Sequence, residues 1–355
     1  MPSVTPQWFN NSGPQPYLVI QGEDGYMRWL KYLPDGRRVV TGSRDGTVWV
    51  WNLESGKQEW TSMKHESEIS GLAVIRGGTK IITSGCSGKI KMWDVESHKL
   101  VKEWSHPESC PVISISPDDR LVAVGTKNVG IYTMEGIRVN HSIKVGVVVW
   151  LMCFSPNRNK LACRTEDGIS VYNVASGTLI LGLGGDRVFD VLWSHNGSRL
   201  FASDGSTIRC WNSDTGKQIG HPWRGHISII RSLSLSPDGS ILASASWDTA
   251  VRFRNATTGD PIGRLQHAKG VNTVRFSPSG EFVVSTGWDG KIYVWRVPWL
   301  NSVTHQVASP FSCVLTSALI CHFRHWQPSP TYVAMKLCPH SSHRLLAPCR
   351  TRSYW

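Results

Sequence analysis

One pattern recurs along this 355-residue chain with a period near forty, and that period limits the fold before any local propensity does. SRDGTVWVWNLESGK (43–57), CSGKIKMWDVESHK (86–99), TEDGISVYNVASGT (165–178), GSTIRCWNSDTGK (205–217), WDTAVRFRNATTGD (247–260) and WDGKIYVWRV (288–297) share one form. Each is a tight turn, alternating apolar residues, an aromatic, then Asn or Asp and a second turn. A companion motif runs through YLPDGRRVVTGS (32–43), SISPDDRLVAVG (114–125), CFSPNRNKLACR (153–164), WSHNGSRLFAS (193–203), LSPDGSILASAS (235–246) and FSPSGEFVVSTG (276–287), where a Pro-Asp-Gly-type turn joins two period-two strands. The aromatic marker falls at Trp51, Trp93, Tyr132, Tyr172, Trp211 and Trp295, with Arg254 in its place once, which makes seven members. Four antiparallel strands per repeat, stacked radially, leave only short sheet edges and bury each unit on its neighbours. The expected fold is all-β, a seven-bladed β-propeller.

Composition agrees and removes several classes. The chain is 18 % charged, with 33 glycines and 17 tryptophans, which excludes a highly charged disordered chain and favours sheets with many turns. No apolar run is long enough to span a bilayer, and the amino end, MPSVTPQWFNNSG, lacks a secretory pattern, so a cytoplasmic or nuclear location is expected. Nine cysteines without a C-x-x-C argue against a disulfide framework and a zinc ribbon, and reduced thiols are expected. The net charge of +12 is uneven: residues 299–355 hold five Lys/Arg and no acid, leaving +7 for the rest. We read three parts: a flexible segment 1–16, a propeller over 17–298, and a Cys/His/Ser/Pro-rich tail over 299–355 expected to be disordered, with an interaction segment as the alternative.

These repeats resemble the WD-repeat (WD40) family, whose unit runs Gly-His, a strand, Ser-Pro-Asp-Gly, Leu-Ala-Ser-Gly-Ser, Asp, a strand and Trp-Asp. The resemblance covers roughly residues 17–298 and implies a hydrogen-bonded set of His, Ser, Asp and Trp in each complete repeat. The last repeat carries all four residue types, His267, Ser285, Asp289 and Trp295. Repeat six has His226, Ser244 and Asp248 with Arg254 for Trp, repeat two has Ser87 for Asp, and repeat one has Glu23 in the His place. The resemblance also implies that the outermost strand of the last blade comes from the amino terminus, where YLVIQ (17–21) is strand-like.

Catalytic and metal signatures are missing. The Gly-Lys pairs at 88–89, 216–217 and 290–291, like that at 56–57, are not followed by Ser or Thr, so no phosphate-binding Gly-Lys-Ser/Thr loop exists, and Gly182, Gly184 and Gly185 do not form a dinucleotide fingerprint. His65, His106, His226 and His267 stand about forty residues apart around a ring and cannot meet on one ion. The expectation is a non-catalytic protein with no cofactor, no metal and no small-molecule substrate.

Such a ring offers loops on a rigid support, and binding usually resides there. The resemblance implies that positions flanking the first apolar residue of each inner strand, and the position before each turn aspartate, project from the upper face. They carry over to Tyr26, Arg28, Glu68, Ser70, Trp150, Arg187, Phe189, Arg231 and Asn272, and to Arg44, Cys86, Lys127, Glu166, Trp247 and Trp288. Arginine and large aromatics are enriched at binding hot spots. An acidic or phosphorylated peptide or protein is therefore the expected partner, with the alternative that Trp150 and Phe189 only fill blade interfaces. A propeller binding RNA or phosphoinositide is the competing reading, disfavoured by the modest +7 and the lack of a lysine-rich run.

Overall fold

Two side-chain devices turn this sequence into hairpins. In the Pro-Asp-Gly turn, Asp35 Oδ1 accepts the N–H groups of Arg37 and Arg38 at 2.9 and 3.1 Å, while Gly36 takes a φ of 70°. Repeats three and four put Asp119 and Arg158 at that left-handed position, at 56° and 58°. In the second turn, the Asn after the aromatic accepts the next backbone donors: Asn52 Oδ1 takes those of Glu54 and Ser55, both at 2.9 Å. Asn173, Asn212 and Asn255 do the same. These Asx turns are the physical content of the aromatic-then-Asn signature.

The computed structural model describes residues 9–10, 13–22, 27–185 and 187–297. After a short pairing of Phe9–Asn10 with Gly13–Pro14, seven antiparallel sheets form the blades. Blade 1 is Met27–Tyr32, Arg38–Ser43, Thr47–Asn52 and Gln58–Lys64; blade 2 is Ile69–Val74, Lys80–Gly85, Lys89–Asp94 and Leu100–Ser105. Blades 3, 4 and 6 repeat the plan over residues 112–144, 151–183 and 230–266. Blade 7 joins Val271–Phe276, Phe282–Gly287 and Lys291–Arg296 to Leu18–Gln21, with Ile292 opposite Ile20. The amino-terminal strand thus completes the last blade, as expected.

The apolar residues gather in seven clusters, one between each pair of neighbouring blades. One joins Val284, Ile292 and Ile20 of blade 7 to Met27, Leu30 and Trp51 of blade 1, so the ring is closed by packing as well as by hydrogen bonds. Two expectations need correction. Blade 5 has only Val188–Trp193, Arg199–Asp204 and Thr207–Asn212, with single bridges Trp211 to Gln218 and Ile208 to Trp223 at its outer edge. That edge carries Gly220, Pro222 and Gly225, and a proline without an N–H interrupts a ladder. Cys86 and Cys110 are disulfide-bonded, against the expectation of reduced thiols, because two loops of the same blade face bring them together; Cys153, Cys163 and Cys210 are free. Among the described residues no helix is long and apolar enough to cross a membrane. The expected tail, residues 299–355, lies outside the described residues.

Candidate functional site

Among the described residues, blades 1, 2, 6 and 7 each complete a different part of the hydrogen-bonded set. In blade 6, His226 Nδ1 lies 2.8 Å from Asp248 Oδ2 and its Nε2 lies 2.9 Å from Ser244 Oγ. Burial opposes ionisation of Asp248, but its hydrogen bond with His226 and the N–H of Ile227 hold the carboxyl below its usual range. Arg254, in the tryptophan place, donates instead to the carbonyls of Gly259 and Arg224. In blade 7, Trp295 Nε1 donates to Ser285 Oγ at 2.9 Å, and Ser285 Oγ meets His267 Nε2 at 3.2 Å. Asp289 does not close that set. Its Oδ2 accepts the Tyr293 hydroxyl at 2.5 Å and its Oδ1 the Lys291 N–H at 3.2 Å, leaving His267 Nδ1 without an acceptor. Tyr293 makes the difference, since it stacks on Trp295 and lies edge-on to His267 at 4.7 Å.

The innermost strands, the second strand of blade 4 and the turns at Trp247 and Trp288 carry a continuous arc of alternating rings and guanidinium groups over blades 4 to 7. Arg164 lies over Trp150 and Phe189 at 5.9 and 5.1 Å, and Arg231 over Phe189 and Trp247 at 4.8 and 5.2 Å. Trp247 meets Trp288 edge to face at 5.1 Å, and both indoles donate to Asn272 Oδ1, at 3.1 and 2.9 Å. Each guanidinium on a ring face adds about 0.5–2 kcal/mol, so the arc is pre-organised. Its outer ends are open, with Trp288 57 % and Trp150 45 % exposed. A cavity of about 270 Å³ opens beside it at the mouth of the central channel, lined by Trp29, Trp150, Arg164, Phe189, Arg231 and Asn272 among others.

Of the residues named from sequence, Trp150, Phe189, Arg231, Trp247, Asn272 and Trp288 converge on this arc. Arg44 does not: it is exposed and pairs with Glu68 at 3.5 Å. Ser70, Glu68, Cys86 and Lys127 line a second cavity of about 650 Å³ over blades 2 to 4, which shares Trp150 with the first. Tyr26 and the Arg28 side chain lie outside the described residues. Arg164 was missed, though the sequence carried a signal. At its place in the second strand the other repeats have Gly42, Ser84, Gly125, Ser203, Ala245 and Thr286, all small. Among the described residues no group of three or more His, Cys, Asp or Glu could hold a metal ion.

A closed ring of seven blades with these His-Ser-Asp and Ser-Trp sets defines a WD-repeat propeller. The family described as "WD domain, G-beta repeat" matches residues 14–52, 56–94, 177–212, 216–255 and 259–296, more than half of the chain, and the chain belongs to it. Telomerase protein component 1 of Rattus norvegicus is 24 % identical over 304 residues, 81 % of this chain and 11 % of that protein. Protein groucho of Drosophila melanogaster is 23 % identical over 318 residues, 86 % of this chain and 32 % of that protein. Periodic tryptophan protein 2 of Arabidopsis thaliana is 21 % identical over 279 residues, 78 % of this chain and 23 % of that protein. The chain therefore spans between about a tenth and a third of the length of these curated relatives.

Proposed function

We propose that this chain is a non-catalytic interaction scaffold that binds an acidic peptide or protein segment, including a phosphorylated one, on the upper face of its ring. The observation that carries this reading is the arc running from Trp150 through Arg164, Phe189, Arg231 and Trp247 to Trp288. Rings fix the planes of both arginines, so a carboxylate or phosphoryl group meets donors already oriented, with little side-chain entropy left to lose. Membership of the WD-repeat family supports a scaffold role. Affinity capture on the full chain tests it: Arg231→Ala with Trp247→Ala is expected to lose the captured partner while circular dichroism shows an unchanged fold. Capture that survives the double substitution rejects the upper face. RNA binding at low salt that disappears in the same variant would move the conclusion to nucleic acid.

A further inference from the structure

We infer that the central channel below the arc holds an oxyanion site of the phosphate class, built around Lys31 and Arg275 and reached past Arg231. The site goes beyond the partner reading, because Lys31 lines the inner cavity and not the one at the mouth.

Register places the two cations together. Counting three residues back from the Pro-Asp-Gly-type turn, blade 1 has Lys31 and blade 7 has Arg275, where the other repeats have Ala73, Ser114, Cys153, Leu192 and Ser234. Blades 7 and 1 are neighbours through ring closure, so two like charges stand side by side on adjoining inner strands. Both line an inner cavity of about 480 Å³, which meets the mouth cavity at Trp29, Leu151, Asp190 and Arg275.

The protein leaves these charges poorly answered. Arg275 donates to the Ser232 hydroxyl at 2.7 Å and to the carbonyls of Leu233 and Val274 at 3.1 and 2.7 Å, all neutral acceptors. Lys31 has no hydrogen bond or ion pair among the described residues. Arg231 is held by ring faces alone, with its Nε buried and unpartnered. The carboxylate facing them is Asp190, and its oxygens accept the N–H groups of Val191 and Leu233 at 2.9 and 2.7 Å. Burial, with Arg275 adding to it against Asp190, lowers Lys31 to about 8. A half-buried cation in this state gains from an anion that enters. A phosphate-class group fits best, since its oxygens can accept from an ammonium and from guanidinium edges at once, and Lys31, Arg275 and Arg231 less Asp190 leave two positive charges for its two negative ones.

Thermal melting and calorimetric titration of the full chain at constant ionic strength test the site, with inorganic phosphate in one arm and capped O-phosphoserine in the other. Saturable stabilisation beyond that of sodium chloride is expected; tighter binding of phosphate identifies a free ion, and tighter binding of phosphoserine a group borne on a partner. Lys31→Met should melt higher than the wild type without phosphate, because the like charge beside Arg275 is gone, and should lose at least ten-fold in affinity for the better ligand. Arg231→Ala should weaken it as well while leaving the phosphate-free melting temperature within a few degrees. No saturable effect in either arm, or undiminished binding by Lys31→Met, overturns the site. Lys31 lies outside the arc, so partner capture by Lys31→Met separates a failure of this site from a failure of the arc reading.

Discussion

His65 and His267 are buried at 2 % and 6 % exposure, each meeting a hydroxyl through Nε2 and lacking an acceptor at Nδ1. Burial lowers both to about 4; at His65 the nearby Lys91 charge adds to it. Above the ordinary histidine value of 6.5 both the folded and unfolded states are neutral and nothing is lost. As pH falls from 6.5 toward 4 only the unfolded chain takes up the proton, so stability drops by on the order of 3 kcal/mol per histidine and levels off below 4. Glu66 and Glu108 lie lower still, at about 2, so their contribution is lost in a separate, more acid window. Urea unfolding from pH 7 to 4.5 should show this decline, and His65→Gln with His267→Gln should flatten it. A second expectation concerns Asn272, buried under two indoles that share its Oδ1. Asn272→Ala leaves both N–H groups without that acceptor and should cost about 1–3 kcal/mol by the same measurement. These residue types were legible in the sequence, but their pairing was not. Asp289 sits where a partner for His267 is expected, yet Tyr293, an apolar-strand residue by pattern, captures its carboxylate through a hydroxyl that periodicity ignores.

Turns and strands were the most legible elements, because Pro34-Asp35-Gly36 and Asn52 carry their own hydrogen-bonding chemistry within a few residues of chain. The outer edge of blade 5 and the Cys86–Cys110 bridge were not legible. The first depends on where Pro222 meets a ladder, and the second on two loops 24 residues apart converging at the same rim. The bridge ties the turn after Lys80–Gly85 to the connection entering blade 3, beside Glu108, which accepts from Lys127 N–H and Asn128 Nδ2 at 2.9 Å each. A covalent loop of that length restricts the unfolded chain by about 3 kcal/mol in the chain-entropy account. Cys86→Ser with Cys110→Ser, or reduction of the wild type, is therefore expected to lower the unfolding free energy by about that amount. Equal denaturation midpoints with and without reductant would show that the bridge adds nothing.

At the scale of the whole molecule, a row of stacked repeats and a closed ring differ in how they come apart. In an open row each unit contacts only its neighbours, and the ends can melt first. Here the first blade packs on the last through Ile20, Met27, Leu30, Val284 and Ile292, and no blade is terminal. The strand that closes the ring is short, Leu18–Gln21, but it covers the outer edge of blade 7 along Lys291, Ile292, Tyr293 and Val294. Without it, that edge and Ile20's place in the closing cluster are exposed, and blades 7 and 1 become ends. Guanidinium unfolding of the full chain should therefore give coincident transitions by far-UV circular dichroism and by tryptophan fluorescence. Deletion of residues 1–22 should lower the midpoint and pull the two transitions apart, while Ile20→Ala should cost about 2–5 kcal/mol and keep them together. A deletion variant with an unchanged midpoint would mean that the ring holds without its closing strand.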